Sequence, residues 1–130
     1  MGKYWVVLGE YDAETTTYSE LAGGAGISPY TPKESGRLVG LRVEVGGDAA
    51  TTLTELVQFK LTCATFKPNS IEVVGAGGGL RTAPFIQPAP RDFAVDQPVQ
   101  AGVPIVIEAR NVTADTPVTN SVLLIGCFTS

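Results

Sequence analysis

The sequence predicts an all-β domain, a two-sheet antiparallel sandwich of about eight strands occupying residues 1–130. Three observations carry this. Apolar and polar residues alternate with period two in several stretches, as a strand with one face on a core requires. The 15 glycines and 9 prolines are scattered between those stretches and read as turn punctuation. Helix signals are nearly missing: the one candidate, residues 11–22, runs through Thr15-Thr16-Thr17, whose β-branched side chains favour extended chain.

Taken in order, a first strand lies near residues 3–9. Residues 11–35 follow, with Gly23-Gly24-Ala25-Gly26 and Ser28-Pro29-Tyr30-Thr31-Pro32 and little to fill a core. They read as an arm or long surface loop, and so long a piece without strands is usually functional or disordered. Residues 37–46 form the next strand, with Leu41, Val43 and Val45 inward and Arg42 and Glu44 outward. In the strand at 53–66, Val57, Phe59, Leu61 and Cys63 alternate with Gln58, Lys60 and Thr62. Shorter strands are expected at 70–75, 82–87 and 91–96. Ile105, Ile107 and Ala109 give the buried face of a strand at 103–112. The last strand, 120–129, is apolar on both faces, so it is either central in its sheet or covered on its outer side. No repeat and no second domain are visible.

Charged residues make up 17% of the chain, below the usual share of about 25%, which suits a surface buried in an assembly. The net charge is −4 and the nine basic residues are dispersed with no two adjacent. Neither a nucleic-acid footprint nor an anionic-membrane patch is present, so no nucleic-acid contact and no membrane are expected. The N-terminal apolar run is too short for a secretion signal or a bilayer span, and Tyr4, Trp5 and Val6 spoil the myristoylation pattern begun by Met1-Gly2. The expected place of synthesis is the cytoplasm. There Cys63 and Cys127 read as two buried thiols, although pairing depends on whether their strands are neighbours.

Catalytic chemistry is hard to assemble from these residues. The chain has no histidine, which removes the commonest general base, and two lone cysteines cannot build a structural zinc site. The expectation is no enzyme, no metal and no cofactor. Gly75-Ala76-Gly77-Gly78-Gly79-Leu80 follows a strand but lacks a third glycine in register and a helix to receive a phosphate. Asp92 and Asp96 would share a strand face about 13 Å apart, beyond the roughly 6.5–9.5 Å of inverting glycosidases. Glu10, Asp12 and Glu14 alternate but lack the spacing of a calcium loop. Asn111-Val112-Thr113 matches a glycosylation acceptor and reads here as a strand-end turn.

Trp5, Tyr4, Tyr11, Tyr18 and Tyr30 all fall in the N-terminal quarter. Of these, Trp5, Tyr11, Tyr18 and Tyr30 are candidate contacts to a neighbouring subunit or to the arm. The alternative is that Trp5 turns into the core while the tyrosines pack the arm down.

The order of strands after a polar Gly/Pro arm resembles the single jelly roll of viral capsid and head-decoration proteins over about residues 36–130. The resemblance rests on Arg91-Asp92-Phe93-Ala94-Val95-Asp96, a Pro98 turn, Ala101-Gly102 and a long strand ending in Asn111. A polar loop then leads to the closing strand Val122-Leu123-Leu124-Ile125-Gly126-Cys127-Phe128. The resemblance implies a structural virion protein, a capsid, turret or decoration subunit, whose partners are copies of itself and other capsid proteins. It implies a virion location, no cofactor, and an arm that ties neighbours together. Lys33 is the arm's only basic residue, unlike the polybasic arms of shells that hold genome. The second reading is a carbohydrate- or protein-binding sandwich module that uses the N-terminal aromatics.

Overall fold

A computed structural model describes residues 2–11, 15–45, 57–74, 91–112 and 122–130. Eight strands lie among them: β1 (Lys3–Tyr11), β2 (Ser19–Glu20), β3 (Gly36–Val45), β4 (Val57–Thr62), β5 (Ser70–Val74), β6 (Arg91–Val99), β7 (Val106–Asn111) and β8 (Val122–Thr129). They form two four-stranded sheets, ordered β1-β8-β3-β6 and β2-β7-β4-β5, with every pair antiparallel. The pairs β4–β5, β3–β6, β2–β7 and β1–β8 are successive rungs of one long hairpin, and β3–β8 and β4–β7 join its halves side by side. This is the jelly-roll arrangement of a two-sheet sandwich. Helix is confined, among the described residues, to one short 3-10 turn at Gly23–Ala25.

Alternation decides which side chains enter the core. In β4, Val57, Phe59 and Leu61 are buried while Gln58, Lys60 and Thr62 are half-buried; β7 buries Ile107, Ala109 and Asn111 in the same way. Strand β8 resolves the choice left by its two apolar faces, because it is central, between β1 and β3. Each fully buried Leu, Ile or Phe contributes on the order of 1.5–3 kcal/mol. Phe59, Leu61, Ile107, Leu124 and Phe128, each at 0% exposure, form the middle of the core.

Two strands break simple alternation. The register shifts in β1 between Val7 and Gly9 and in β3 between Leu38 and Gly40. An extra residue at such a bulge lets residues of opposite parity share one face. Leu8 and Tyr11 are therefore both buried, as are Leu38 and Leu41. Tyr4 and Val6 pack on the core ahead of the first bulge, and Trp5 points outward at 53% exposure. The alternative of Trp5 in the core is thus overturned.

Other boundaries move. Strand β6 runs through Pro98 to Val99, where its position at the sheet edge tolerates a residue without an N–H. The turn falls instead at Ala101-Gly102, where Gly102 has φ +85°. The strand expected at 53–66 covers only Val57–Thr62 of the described residues, and that expected at 82–87 lies outside them. Cys63 and Cys127 are both buried and unbridged.

Residues 15–35, read as an arm or surface loop, are stitched to both sheets. Leu21 N donates to Ile107 O (2.9 Å), and Tyr30 and Ile105 exchange two backbone bonds of 2.8 Å. On the other side Ile27 N donates to Leu8 O (3.3 Å) and Gly26 bridges Gly9. Ser28 sits beneath, accepting from Ile107 N (2.9 Å) and donating to Glu20 Oε2 (2.6 Å). The segment thereby spans from the open side of β7 to the open side of β1.

Candidate functional site

The four aromatic candidates reach four different environments. Tyr11 is 1% exposed and donates to Asn111 Oδ1 at 2.9 Å. It meets Thr15 of the following segment, whose N–H donates to the phenol oxygen at 3.4 Å, and it has no surface to offer a second molecule. Asn111, also fully buried, is held in the core and is no exposed glycan acceptor.

Tyr18 lies on the outer face of the β2-β7-β4-β5 sheet. Its ring has Lys60 Nζ at 5.1 Å and the Arg110 guanidinium at 4.7 Å, and its hydroxyl donates to Glu72 Oε2 at 2.7 Å. Arg110 in turn donates twice to Gln58 Oε1, at 3.0 and 2.8 Å. Burial, then the hydrogen bond and charge of Glu72, push the Tyr18 phenol up to about 12, with Arg110 opposing them. This outer face is polar, and its side chains bond to one another.

The outer face of the β1-β8-β3-β6 sheet is different. Trp5 stands opposite Cys127, and Val7 opposite Ile125, with Leu123 next along β8. Trp5 and Val7 are 53% and 54% exposed. On the far side of β8, Arg42 is paired with Ile125, and its guanidinium reaches back to 5.0 Å from the Trp5 ring centroid. Arg42 also binds Asp92 with two hydrogen bonds, Nε to Oδ1 at 2.7 Å and Nη2 to Oδ2 at 3.3 Å. That contact holds the Asp92 carboxyl below its ordinary range. Arg37 pairs likewise with Asp96. The face is an apolar stripe along β1 and β8, bordered by arginine–aspartate pairs along β3 and β6. Asp92 and Asp96 are thus engaged by separate arginines and do not converge on one another.

Tyr30 comes together with Tyr4, not with the other candidates. Both rest on the buried Phe128 ring, Tyr4 stacked at 5.5 Å and 18°, Tyr30 tilted at 5.4 Å and 45°. With Thr31, Lys33 and Glu34 they line a cleft of about 360 Å³. Burial, then the adjacent Tyr4, raise the Tyr30 phenol above its ordinary value.

Among the described residues no group of three His, Cys, Asp or Glu side chains is placed to hold a metal ion, and no helix is long and apolar enough to cross a membrane. The glycine-rich residues 75–80, Asp12 and Glu14 lie outside the described residues. Sequence reasoning missed Val7 and Ile125 as surface residues and Lys33 and Glu34 as cleft residues. The two-faced apolar pattern of β8 was the available signal for Ile125; nothing in the sequence marked Val7, Lys33 or Glu34.

No protein-family model and no curated protein sequence matches the chain. Among solved structures it is similar to FLHE, with TM-score 0.42 and 12% identity over 100% of both chains. It is similar to the capsid of Helicobacter pylori bacteriophage KHP30, with TM-score 0.41 and 17% identity over 98% of this chain and 94% of that one. It is also similar to the Drosophila NLP-core, with TM-score 0.34 and 12% identity over 99% and 96%. A viral capsid structure thus stands among those the chain is similar to.

Proposed function

We propose that the chain is a structural subunit of a virion, a capsid, turret or decoration protein, which packs against copies of itself or other shell proteins through the outer face of the β1-β8-β3-β6 sheet. The observation that carries the reading is the contrast between the two outer faces. One is closed by its own polar contacts around Tyr18. The other leaves Trp5 and Val7, on the edge strand β1 beside the apolar outer side of β8, more than half exposed among the described residues. Water-exposed apolar stripes with a charged border are characteristic of protein contacts. The strand order supports the virion assignment, since the jelly roll is an architecture of capsid proteins, although lectins share it.

Size refines the reading. Four strands spaced about 4.8 Å apart and some 30 Å long give a face on the order of 500 Å². A standard interface takes about 800 Å² per partner and an obligate one more. This face suits one of several contacts made by a subunit within a shell. A non-catalytic role belongs to the same proposal: the chain lacks histidine, and each acid of β6 is engaged by its own arginine. Dispersed basic residues and a net charge of −4 support a place away from nucleic acid.

The test is light scattering behind size exclusion across a concentration series, followed by electron microscopy of any large species. The expected outcome is a mass that rises with concentration to a discrete oligomer or particle. A mass fixed at the single-chain 13.6 kDa at every concentration, with no retention on purified particles, would overturn the proposal.

A further inference from the structure

Apart from the sheet face, the molecule carries a second uncommitted feature at the end where β1 begins and β8 finishes. We infer that the cleft between Tyr4 and Tyr30 is a binding site for a single neutral sugar ring. This goes beyond the shell-subunit reading and does not depend on it.

The cleft is held in place from behind. Phe128, at 0% exposure, supports both tyrosine rings. Two backbone bonds of 2.8 Å to Ile105 fix Tyr30. Residues beyond it are tied to the β6–β7 turn by Gly102 N to Pro32 O (3.0 Å) and Ala101 N to Ser35 Oγ (3.1 Å). Side chains supported in this way present their free surfaces without a large ordering cost on binding. A volume of about 360 Å³ stands at the low end of small-molecule sites, which run from roughly 300 to 1,000 Å³.

The lining specifies the ligand's chemistry. Two phenol rings offer flat apolar surface to the C–H face of a pyranose and hydroxyls to its edge. Thr31 both donates and accepts, Lys33 donates and Glu34 accepts. Lys33 and Glu34 are exposed, and among the described residues neither has an ion-pair partner. Their charges cancel, so the rim has no net preference for ions. An anion would be repelled by Glu34 and a cation by Lys33, and a purely apolar molecule would gain nothing from either, since both are exposed and keep their water. A neutral polyol with one apolar face satisfies every group.

Saturation-transfer NMR on the intact chain tests this, with methyl β-D-glucopyranoside, methyl β-D-galactopyranoside and methyl α-D-mannopyranoside as probes. Transfer to the ring protons of at least one glycoside is expected, with millimolar affinity. Tyr30→Ala abolishes it. Because Tyr30 also packs on Phe128, a second variant combines Lys33→Ala with Glu34→Ala on exposed side chains. It should keep the wild-type melting temperature and bind roughly tenfold more weakly through lost hydrogen bonds. No transfer from any of the three sugars, unchanged affinity in the double variant, or glucuronate binding as tightly as the neutral probes would each overturn the inference.

Discussion

Tyr11 and Tyr18 are the same residue type close together in the chain, and their surroundings give them opposite roles. Tyr11 spends its hydroxyl inside the core on Asn111, tying the end of β1 to the end of β7 across the two sheets. Tyr18 holds two cations against its ring and a carboxylate at its hydroxyl. Its consequence is a pH effect. The folded protein retains the phenol proton up to about pH 12, while the unfolded chain releases it near 10. Between those values the native state binds more protons, so the contribution is complete below pH ~10 and fades as pH rises toward ~12. A difference phenolate absorbance titration, wild type minus Tyr18→Phe, should show one group titrating near 12. Glu72→Gln should lower that midpoint while burial keeps it raised. A midpoint at ~10 in the difference curve would sink the assignment.

At the scale of strands, the bulges in β1 and β3 explain what could and could not be read from sequence. Strands β4 and β7 alternate without interruption, and their apolar inward residues were legible one by one, whereas Asn111, read as part of a strand-end turn, is the last inward residue of β7. A bulge adds a residue without any compositional mark, so parity counted along β1 gives no means of choosing between Trp5 and Tyr4 for the core. Strand β2, two residues long, has no periodicity to detect. The cleft was illegible for a related reason: Tyr4 and Tyr30 are brought together on Phe128, and the Tyr4–Phe128 contact spans nearly the whole chain. Glycine at position 36 marks a place where strand spacing is tight. A Cβ there would fall on the Thr129 carbonyl oxygen, with the carbonyl carbon at 2.8 Å and Ser130 Cα at 2.9 Å. Backbone cannot step aside as a side chain can, so Gly36→Ala should separate β3 from β8 and cost about 1–3 kcal/mol. Gly40→Ala is the control, since its nearest neighbour is Cys127 Cβ at an ordinary 3.6 Å. Equal urea midpoints for the two variants would refute the argument.

For the whole molecule, the sheet face and the core make separable contributions. Trp5 and Val7 project away from the buried cluster, and exposed positions of this kind usually change stability by no more than about 0.5 kcal/mol when substituted. Trp5→Ala combined with Val7→Lys should therefore leave thermal unfolding close to wild type, apart from a loss of order 0.5–1 kcal/mol with the Arg42 contact. The same variant should lose the concentration-dependent mass. Assembly indistinguishable from wild type would show that contacts run through another surface.

The pairing of β1 with β8 brings Lys3 opposite Thr129, and Ser130 N donates to Gly2 O at 3.3 Å. The backbone at this end therefore forms an almost closed loop. A short peptide bridge could join the two ends without disturbing either sheet, leaving the chain open to circular permutation. A tag attached at either end would leave the sandwich from the same corner, beside the Tyr4–Tyr30 cleft.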